Sequence, residues 1–300
     1  MTGEAEVADA HALSAGYYAD HAAVCQGRVL ENVRLARDTY RVRIECRQIA
    51  ASITPGQFVM IRLPGHSDPL LGRPFALYDT ALSPAGEPYA LDIVYLVVGK
   101  LTGLLSRLDS GDTVELWGPL GNGFSTASTE HLIMVAGGIG QTPFLALGRE
   151  FLGKRSYGSP PRSVEAASQV TLCYGVRTHE YAAGEQDFRD CGVDVRLSSD
   201  DGSVGKPGLA TGVLQEVLSA CPQGQRKRIV CCGPEPMMEA VARIAAETET
   251  PCEVSLETPM ACGVGICFSC VTRVRQKDDG WDYKRTCVEG PVFDAATIEW

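Results

Sequence analysis

His131–Gly153 reads HLIMVAGGIGQTPFLALGREFLG. A short apolar run stops at glycines, and a segment of helical spacing follows with Pro143 near its first turn. A strand, a glycine-rich turn and a helix in that order open a βα unit, and the glycines let a backbone come close to a phosphate. Pro143 stands where a G-x-G-x-x-G fingerprint has its third glycine, so the match is incomplete. The flanking segments strengthen it. VTLCYGV and VDVRLSSDDG are strand-like, ATGVLQEVLSA is helix-like, RIVCCGP precedes the helix-like EPMMEAVARIAAET, and CEVSLE ends the series. Apolar strands alternating with helices predict a parallel sheet covered on its faces. GKRSYGSPPRSVEAAS, inside this region, reads as an exposed loop.

Upstream the period changes. Residues 25–125 carry short strands such as GQFVMIRLPG and LDIVYLVVG, bounded by Gly and Pro. That pattern predicts an antiparallel β-barrel or sandwich. The expected fold is therefore α+β and multidomain: a 1–24 extension, an antiparallel barrel over 25–125, an α/β parallel-sheet domain over 126–250, and a small tail domain over 251–300. The first 24 residues are acidic and Ala-rich and lack the basic start and apolar stretch of a signal peptide, which predicts a frayed extension and a cytoplasmic protein.

The composition is that of an ordinary globular protein, with 45% hydrophobic and 21% charged residues. A net charge of −10 argues against nucleic acid as partner. No apolar run reaches the length of a membrane span, so no membrane partner is expected.

Twelve cysteines are many for a chain of 300 residues. Eight of them (25, 46, 173, 191, 221, 231, 232 and 252) are scattered, mostly in apolar segments, and read as small buried hydrophobes. The other four form a pattern. Cys262, Cys267 and Cys270 lie in MACGVGICFSC with C-x4-C-x2-C spacing, and Cys287 follows in YKRTCVEGP. This is the plant-type spacing for a [2Fe–2S] cluster. Gly263 and Gly265 allow the wrapped backbone to take positive φ beside the sulfides. Structural zinc is the competing reading, but zinc favours paired C-x2-C knuckles and only one such pair exists here.

Three further stretches could hold cofactors. In GRPFALYDT, Arg73 could grip a diphosphate with its planar fork, and Phe75 and Tyr78 offer flat faces. Gly99 and Thr102 stand at a loop-to-helix start in VVGKLTGLL, where backbone N–H groups could bind phosphate; a plain cap by Thr102 is the alternative. GPLGNGF could simply join two domains. Cys232 and Gly233, in CCGPEPMM, end a strand where open α/β sheets bind ligands. Asp200 and Asp201 follow another strand; either a ribose contact that would repel a 2′-phosphate, favouring NAD over NADP, or a capped acidic turn explains them.

The order of these motifs resembles the ferredoxin-reductase-type flavoproteins. More narrowly, from about residue 25 to 298, it is similar to the electron-transfer subunits of NAD-dependent (class 1B) dihydroorotate dehydrogenases. GPLGNGF, SLETPMACGVGICFSC and YKRTCVEGPVFDA carry the narrower likeness. The resemblance implies FAD held by Arg73, Pro74, Phe75 and Ala76 and by Val94, Tyr95, Leu96, Gly99, Leu101 and Thr102. It implies NAD at Gly138, Gly140, Thr142, Asp200, Asp201, Cys232 and Gly233, and a [2Fe–2S] cluster on Cys262, Cys267, Cys270 and Cys287. Two departures stand out. Ala76 occupies a position where the family usually has Ser or Thr, and Gly99-Lys100-Leu101-Thr102 lacks one glycine of the usual G-x-G-T.

The implied activity belongs to pyrimidine biosynthesis. An FMN-containing catalytic subunit oxidises dihydroorotate, and this chain passes the electrons through the cluster and FAD to NAD⁺. The implied assembly is a heterotetramer of two catalytic and two electron-transfer subunits. An FMN barrel alone needs about 250 residues, so this chain should not oxidise dihydroorotate by itself. The flavin and iron–sulfur subunit of another NAD(P)H oxidoreductase, of transhydrogenase, hydrogenase or sulfite reductase type, shares the same layout. A stand-alone reductase would commonly carry a whole ferredoxin domain, longer than the tail present here.

Overall fold

The computed structural model describes residues 19–276 and 280–300. The first sheet is built from β1 (Ala23–Ala36), β2 (Thr39–Glu45), β3 (Phe58–Arg62), β4 (Arg73–Ala76), β5 (Asp79–Leu82), β6 (Pro88–Leu96) and β7 (Thr113–Leu120). Helices α1 (Arg47–Ser52) and α2 (Lys100–Leu105) interrupt the series. All its pairings are antiparallel, in the order β4-β3-β7-β1-β2-β6-β5. The sheet curls into a half-barrel around Val29, Val42, Ile44, Val59, Ile61 and Leu116, while its edge strands β4 and β5 stay unpaired with each other.

The second sheet begins with β8 (His131–Gly137), followed by α3 (Phe144–Phe151), β9 (Gln169–Val176), α4 (Glu185–Asp190), β10 (Asp194–Ser199), β11 (Lys206–Pro207), α5 (Ala210–Ala220), β12 (Lys227–Cys232), α6 (Glu235–Glu247) and β13 (Cys252–Ser255). These strands run parallel in the order β11-β10-β9-β8-β12-β13. Leu132 to Ala136 of β8 are fully buried, as expected of a central parallel strand covered on both faces; each large side chain there contributes about 1.5–3 kcal/mol of burial. The chain leaves β8 towards β9 on one side and returns through β12 on the other. This is the strand-order reversal at which open α/β sheets bind ligands.

The tail forms a small hairpin, β14 (Val271–Arg275) and β15 (Trp281–Arg285), and then β16 (Val292–Asp294), which adds to the second sheet antiparallel to β13. The Cys252–Ser255 strand, assigned to the tail by the 251 boundary, thus lies in the second sheet, because its apolar residues complete that sheet's core. Of the N-terminal extension, residues 1–18 lie outside the described ones. Residues 19–24 correct the expectation of a frayed end: Ala19–His21 form a 3-10 turn, Ala19 and Ala22 pack beside the cysteine-bearing tail, and β1 starts at Ala23.

Among the described residues no helix is long and apolar enough to cross a membrane. A second correction concerns the scattered cysteines. Cys25 and Cys46 are joined by a disulfide, because the β1–β2 register pairs Arg28 with Glu45 and leaves these two just beyond it on neighbouring segments. Of the other six, Cys173, Cys191, Cys231, Cys232 and Cys252 are buried and free as expected, and Cys221 is half-buried.

Candidate functional site

Two cavities meet where the two sheets face each other. The first, about 570 Å³, is lined by Arg73, Pro74, Phe75 and Ala76 of β4, by Val94, Tyr95 and Leu96 of β6, and by Gly99, Leu101 and Thr102. Every residue expected to hold a flavin therefore lines one space. Phe75 and Tyr95 meet edge to face, 6.1 Å between ring centroids, and Tyr95 is anchored by its hydroxyl donating to Asn32 at 3.1 Å. The Arg73 guanidinium donates from Nη1 to the carbonyls of Leu71 and Gly72, which leaves other donors of its fork exposed. A Cβ placed on Gly99 would meet no atom within 4 Å, so the backbone there is open to a ligand.

Thr102 is a cap as well as a wall. Its Oγ1 accepts from the backbone N–H groups of Val98 and Gly99 at 3.0 and 3.1 Å and donates to Gly99 O at 3.1 Å. The hydroxyl is spent on shaping the turn. Tyr78 is not a flat face for a ligand. It is 1% exposed, packs edge to face on Phe188 and donates to Asp187 at 2.8 Å, joining the two sheets instead.

The second cavity, about 850 Å³, is lined by Gly138, Gly140, Asp200 and Gly233. Gly138 has φ +55°, and a Cβ there would meet nothing within 4 Å, so its backbone faces the cavity directly. Gly140 serves packing: a Cβ would lie 2.3 Å from Cys232 O, so glycine lets the turn lie against the end of β12. The glycines form a 3-10 turn, Gly138–Gln141, and α3 begins only after Pro143, which accounts for the imperfect fingerprint. Thr142 and Cys232 fall on the first cavity, next to the second. Asp201 lines neither; its carboxylate accepts from the N–H and hydroxyl of Ser203 at 3.0 and 2.6 Å. The capped-turn reading thus describes Asp201, while Asp200 faces the cavity.

Burial pushes the Cys232 thiol well above its usual range, and the carboxylate of Glu257 adds to this. Leu96, Val98, Ile139 and Glu257 line both cavities. Glu257 was not singled out from sequence, where it is one acid between a strand and the cysteine loop.

From Ser255 to Met260 the chain forms part of the first cavity's wall and then enters the cysteine loop. The thiols influence one another in two pairs, Cys262 with Cys267 and Cys270 with Cys287, and Cys262 also acts electrostatically on Cys287. Hydrogen bonds from Ser269 hold Cys267 down to about 6, and the bond from Cys287 holds Cys270 down to about 6. The same bond with Cys270, together with burial, pushes Cys287 up. Among the described residues no three metal-binding side chains converge on one point. The C-x4-C-x2-C spacing with a distant fourth cysteine suits a binuclear iron centre better than one tetrahedral zinc.

Close packing and hydrogen bonds hold the loop's backbone. Gly263 and Gly265 have φ +74° and +81°. Cβ atoms on them would come within 2.6 Å of Met60 Cγ and Val288 Cγ2 respectively. Trp117 Nε1 donates to Cys262 O at 3.0 Å, Arg285 Nη1 donates to Gly265 O at 3.1 Å, and the Val264 N–H points at the Cys262 sulfur, 3.4 Å away. The four thiols, the two positive-φ glycines and the inward N–H fit an iron–sulfur cluster.

Residues 257–299 match the model of the iron–sulfur cluster binding domain of dihydroorotate dehydrogenase B, and residues 134–243 match the oxidoreductase NAD-binding domain. The chain is 33% identical to the dihydroorotate dehydrogenase B (NAD(+)) electron transfer subunit of Caldanaerobacter subterraneus subsp. tengcongensis, over 91% of its own length and 97% of the relative's. It belongs to the family of dihydroorotate dehydrogenase B electron transfer subunits. The subunit of Desulforamulus reducens is also 33% identical, with 92% and 98% coverage. Among solved structures, the NADH-dependent reduced ferredoxin-NADP oxidoreductase superposes with a TM-score of 0.75 at 27% identity, covering 91% of this chain and 90% of that one. The ferredoxin reductase of carbazole 1,9a-dioxygenase, at 21% identity and a TM-score of 0.61, shares the fold. As an electron transfer subunit of this family, the chain works with a catalytic partner subunit.

Proposed function

We propose that the chain binds FAD in the first cavity and NAD in the second, carries a [2Fe–2S] cluster on Cys262, Cys267, Cys270 and Cys287, and links an FMN-containing catalytic subunit to NAD⁺ in the cytoplasm, as a two-plus-two heterotetramer. The flavin region spans 25–125, the nucleotide region 126–250 plus β13, and the cluster region the remainder to 300. One observation carries this reading: the two cavities share a wall, and the strip Ser255–Met260 runs from that wall straight into the cysteine loop.

When bound, the flavin interconverts single electrons and a hydride, the cluster carries one electron at a time, and the nicotinamide takes the hydride. The chain's residues position these groups. Arg73 offers its free guanidinium donors to a diphosphate. The Gly138 backbone, bare of side chain, lets a phosphate approach the glycine turn, and Gly99 leaves room for a ligand beside its own capped turn. Leu96, Val98 and Ile139 supply the apolar part of the wall that the two cavities share. The Cys232 thiol stays protonated and places no charge there.

Dihydroorotate and NAD⁺ given to this chain co-expressed with a dihydroorotate dehydrogenase catalytic subunit should yield NADH, and the isolated chain should yield none. Dihydroorotate oxidation by the isolated chain would contradict the proposal.

A further inference from the structure

Arg285 ends β15, two residues before Cys287, and is only 7% exposed. Its guanidinium reaches the cysteine loop, where Nη1 donates to Gly265 O at 3.1 Å. Phe268, between Cys267 and Cys270, covers the guanidinium with its ring, the centroid 5.1 Å from Cζ. The Phe268 backbone takes φ +55°, a left-handed conformation that a phenylalanine rarely adopts, so the loop is strained at the residue that makes this cover. The next residue, Thr286, donates from its N–H and its hydroxyl to Cys270 O at 2.7 and 2.8 Å. Glu289 holds the other edge of the fork. Nε and Nη2 donate to its carboxylate at 3.2 and 3.0 Å, and the Arg285 N–H donates to it at 2.7 Å. The Glu289 side chain is the more open to water of the two, 25% exposed against 9%.

Among the described residues Arg285 is the one charged side chain that hydrogen-bonds to the loop 260–270. Trp117 holds Cys262 O with a neutral N–H, so a loop carbonyl can be fixed without a charge. What a guanidinium adds to such a bond is a positive charge that persists at every working pH. In a buried setting that charge acts more strongly than it would in water. Water screens the Glu289 carboxylate more than the guanidinium, which leaves the pair a net positive influence on the loop.

We infer that Arg285 and Glu289 set the reduction potential of the cluster held on the four cysteines. This rests on the four-cysteine reading given above. Reduction of the cluster adds one electron and hence one negative charge; no bond forms or breaks. The Arg285 charge favours the reduced form and raises the potential, while Glu289 fixes the guanidinium and offsets part of its charge. Raising the potential helps the cluster to accept an electron, and the offset keeps it able to pass that electron on. Arg285 is thus a positioning and tuning residue, acting through the loop rather than on the reacting atoms.

The test is a redox titration of the full chain, purified with flavin and cluster and followed by the paramagnetic resonance signal of the reduced cluster. Arg285→Gln should lower the reduction equilibrium constant about tenfold, which is about 59 mV for one electron. Glu289→Gln should shift it the opposite way, and Arg285→Lys should stay close to wild type. The flavin potential should not move in any of them. A loop that is merely loosened would not give shifts of opposite sign, so unchanged potentials, or shifts of one sign in both Gln variants, would overturn the inference. If Arg285→Gln loses its iron, Glu289→Gln decides: a raised potential supports the inference, and an unchanged or lowered one overturns it. Loss of iron from both would make the pair a clamp on the loop and would also overturn it. A wild-type chain with no reducible iron would instead overturn the four-cysteine reading.

Discussion

A methyl group on Gly263 would strike Met60, and one on Gly265 would strike Val288, with each backbone already in the left-handed region. Gly263→Ala and Gly265→Ala should each cost on the order of 1–3 kcal/mol in the cysteine loop. The measurable outcome is a lower iron content per chain with flavin content unchanged. At the second cavity, Asp200 and Asp201 should part company. Asp200→Ser removes a charge that lines the second cavity and should improve the use of NADPH relative to NADH by about tenfold; Asp201→Ser, on its own capped turn, should leave the ratio alone. Steady-state kinetics with both nucleotides checks this.

Glu257 predicts a pH effect as well. Its folded-state pKa is raised, so the stability tied to its protonated form is present at low pH and is lost as pH rises through the folded value. Glu257→Gln should therefore melt higher than wild type at about pH 8 and alike at about pH 4. The cysteine ligand set was legible because its spacing is local. Glu257 was not, because its meaning comes from two cavities that the sequence does not juxtapose.

Among elements, the joint between sheet and tail is the least local. Asn122 Nδ2 donates to the carbonyls of Glu289 and Val292 at 3.2 and 2.8 Å, its Oδ1 accepts from the Val292 N–H at 3.0 Å, and its own N–H donates to Gly290 O at 2.6 Å. Gly121 lets the chain pass against Pro291, where a Cβ would lie 2.6 Å from Pro291 Cδ. GPLGNGF is thus more than a connection between domains: it clamps the start of β16 and the turn between Cys287 and that strand. Asn122→Ala should cost about 1–3 kcal/mol by leaving those backbone groups unpaired. Hydrogen exchange should show faster opening of 286–294 than of β8. The long strands and helices α5 and α6 were readable from apolar period. Helices α1, α2 and α4, six residues each, are too short for a 3.6-residue period to register, and α2 is identified only by its cap. The strand–helix alternation foretold the parallel sheet, but not that a final strand would return to its edge, since a three-residue strand 36 residues beyond β13 leaves no pattern.

At the scale of the molecule, the architecture is a line: cysteine loop, Ser255–Met260 strip, first cavity, shared wall, second cavity. The central claim is that this line conducts. It is tested most directly by the visible spectrum of the anaerobically purified chain before and after addition of NADH. The account predicts flavin bands together with a broad iron–sulfur absorbance, both bleached by NADH without any catalytic subunit present. A flavin that NADH reduces while a fully loaded cluster stays oxidised would break the line between them. A chain that binds zinc and no flavin would contradict the account altogether.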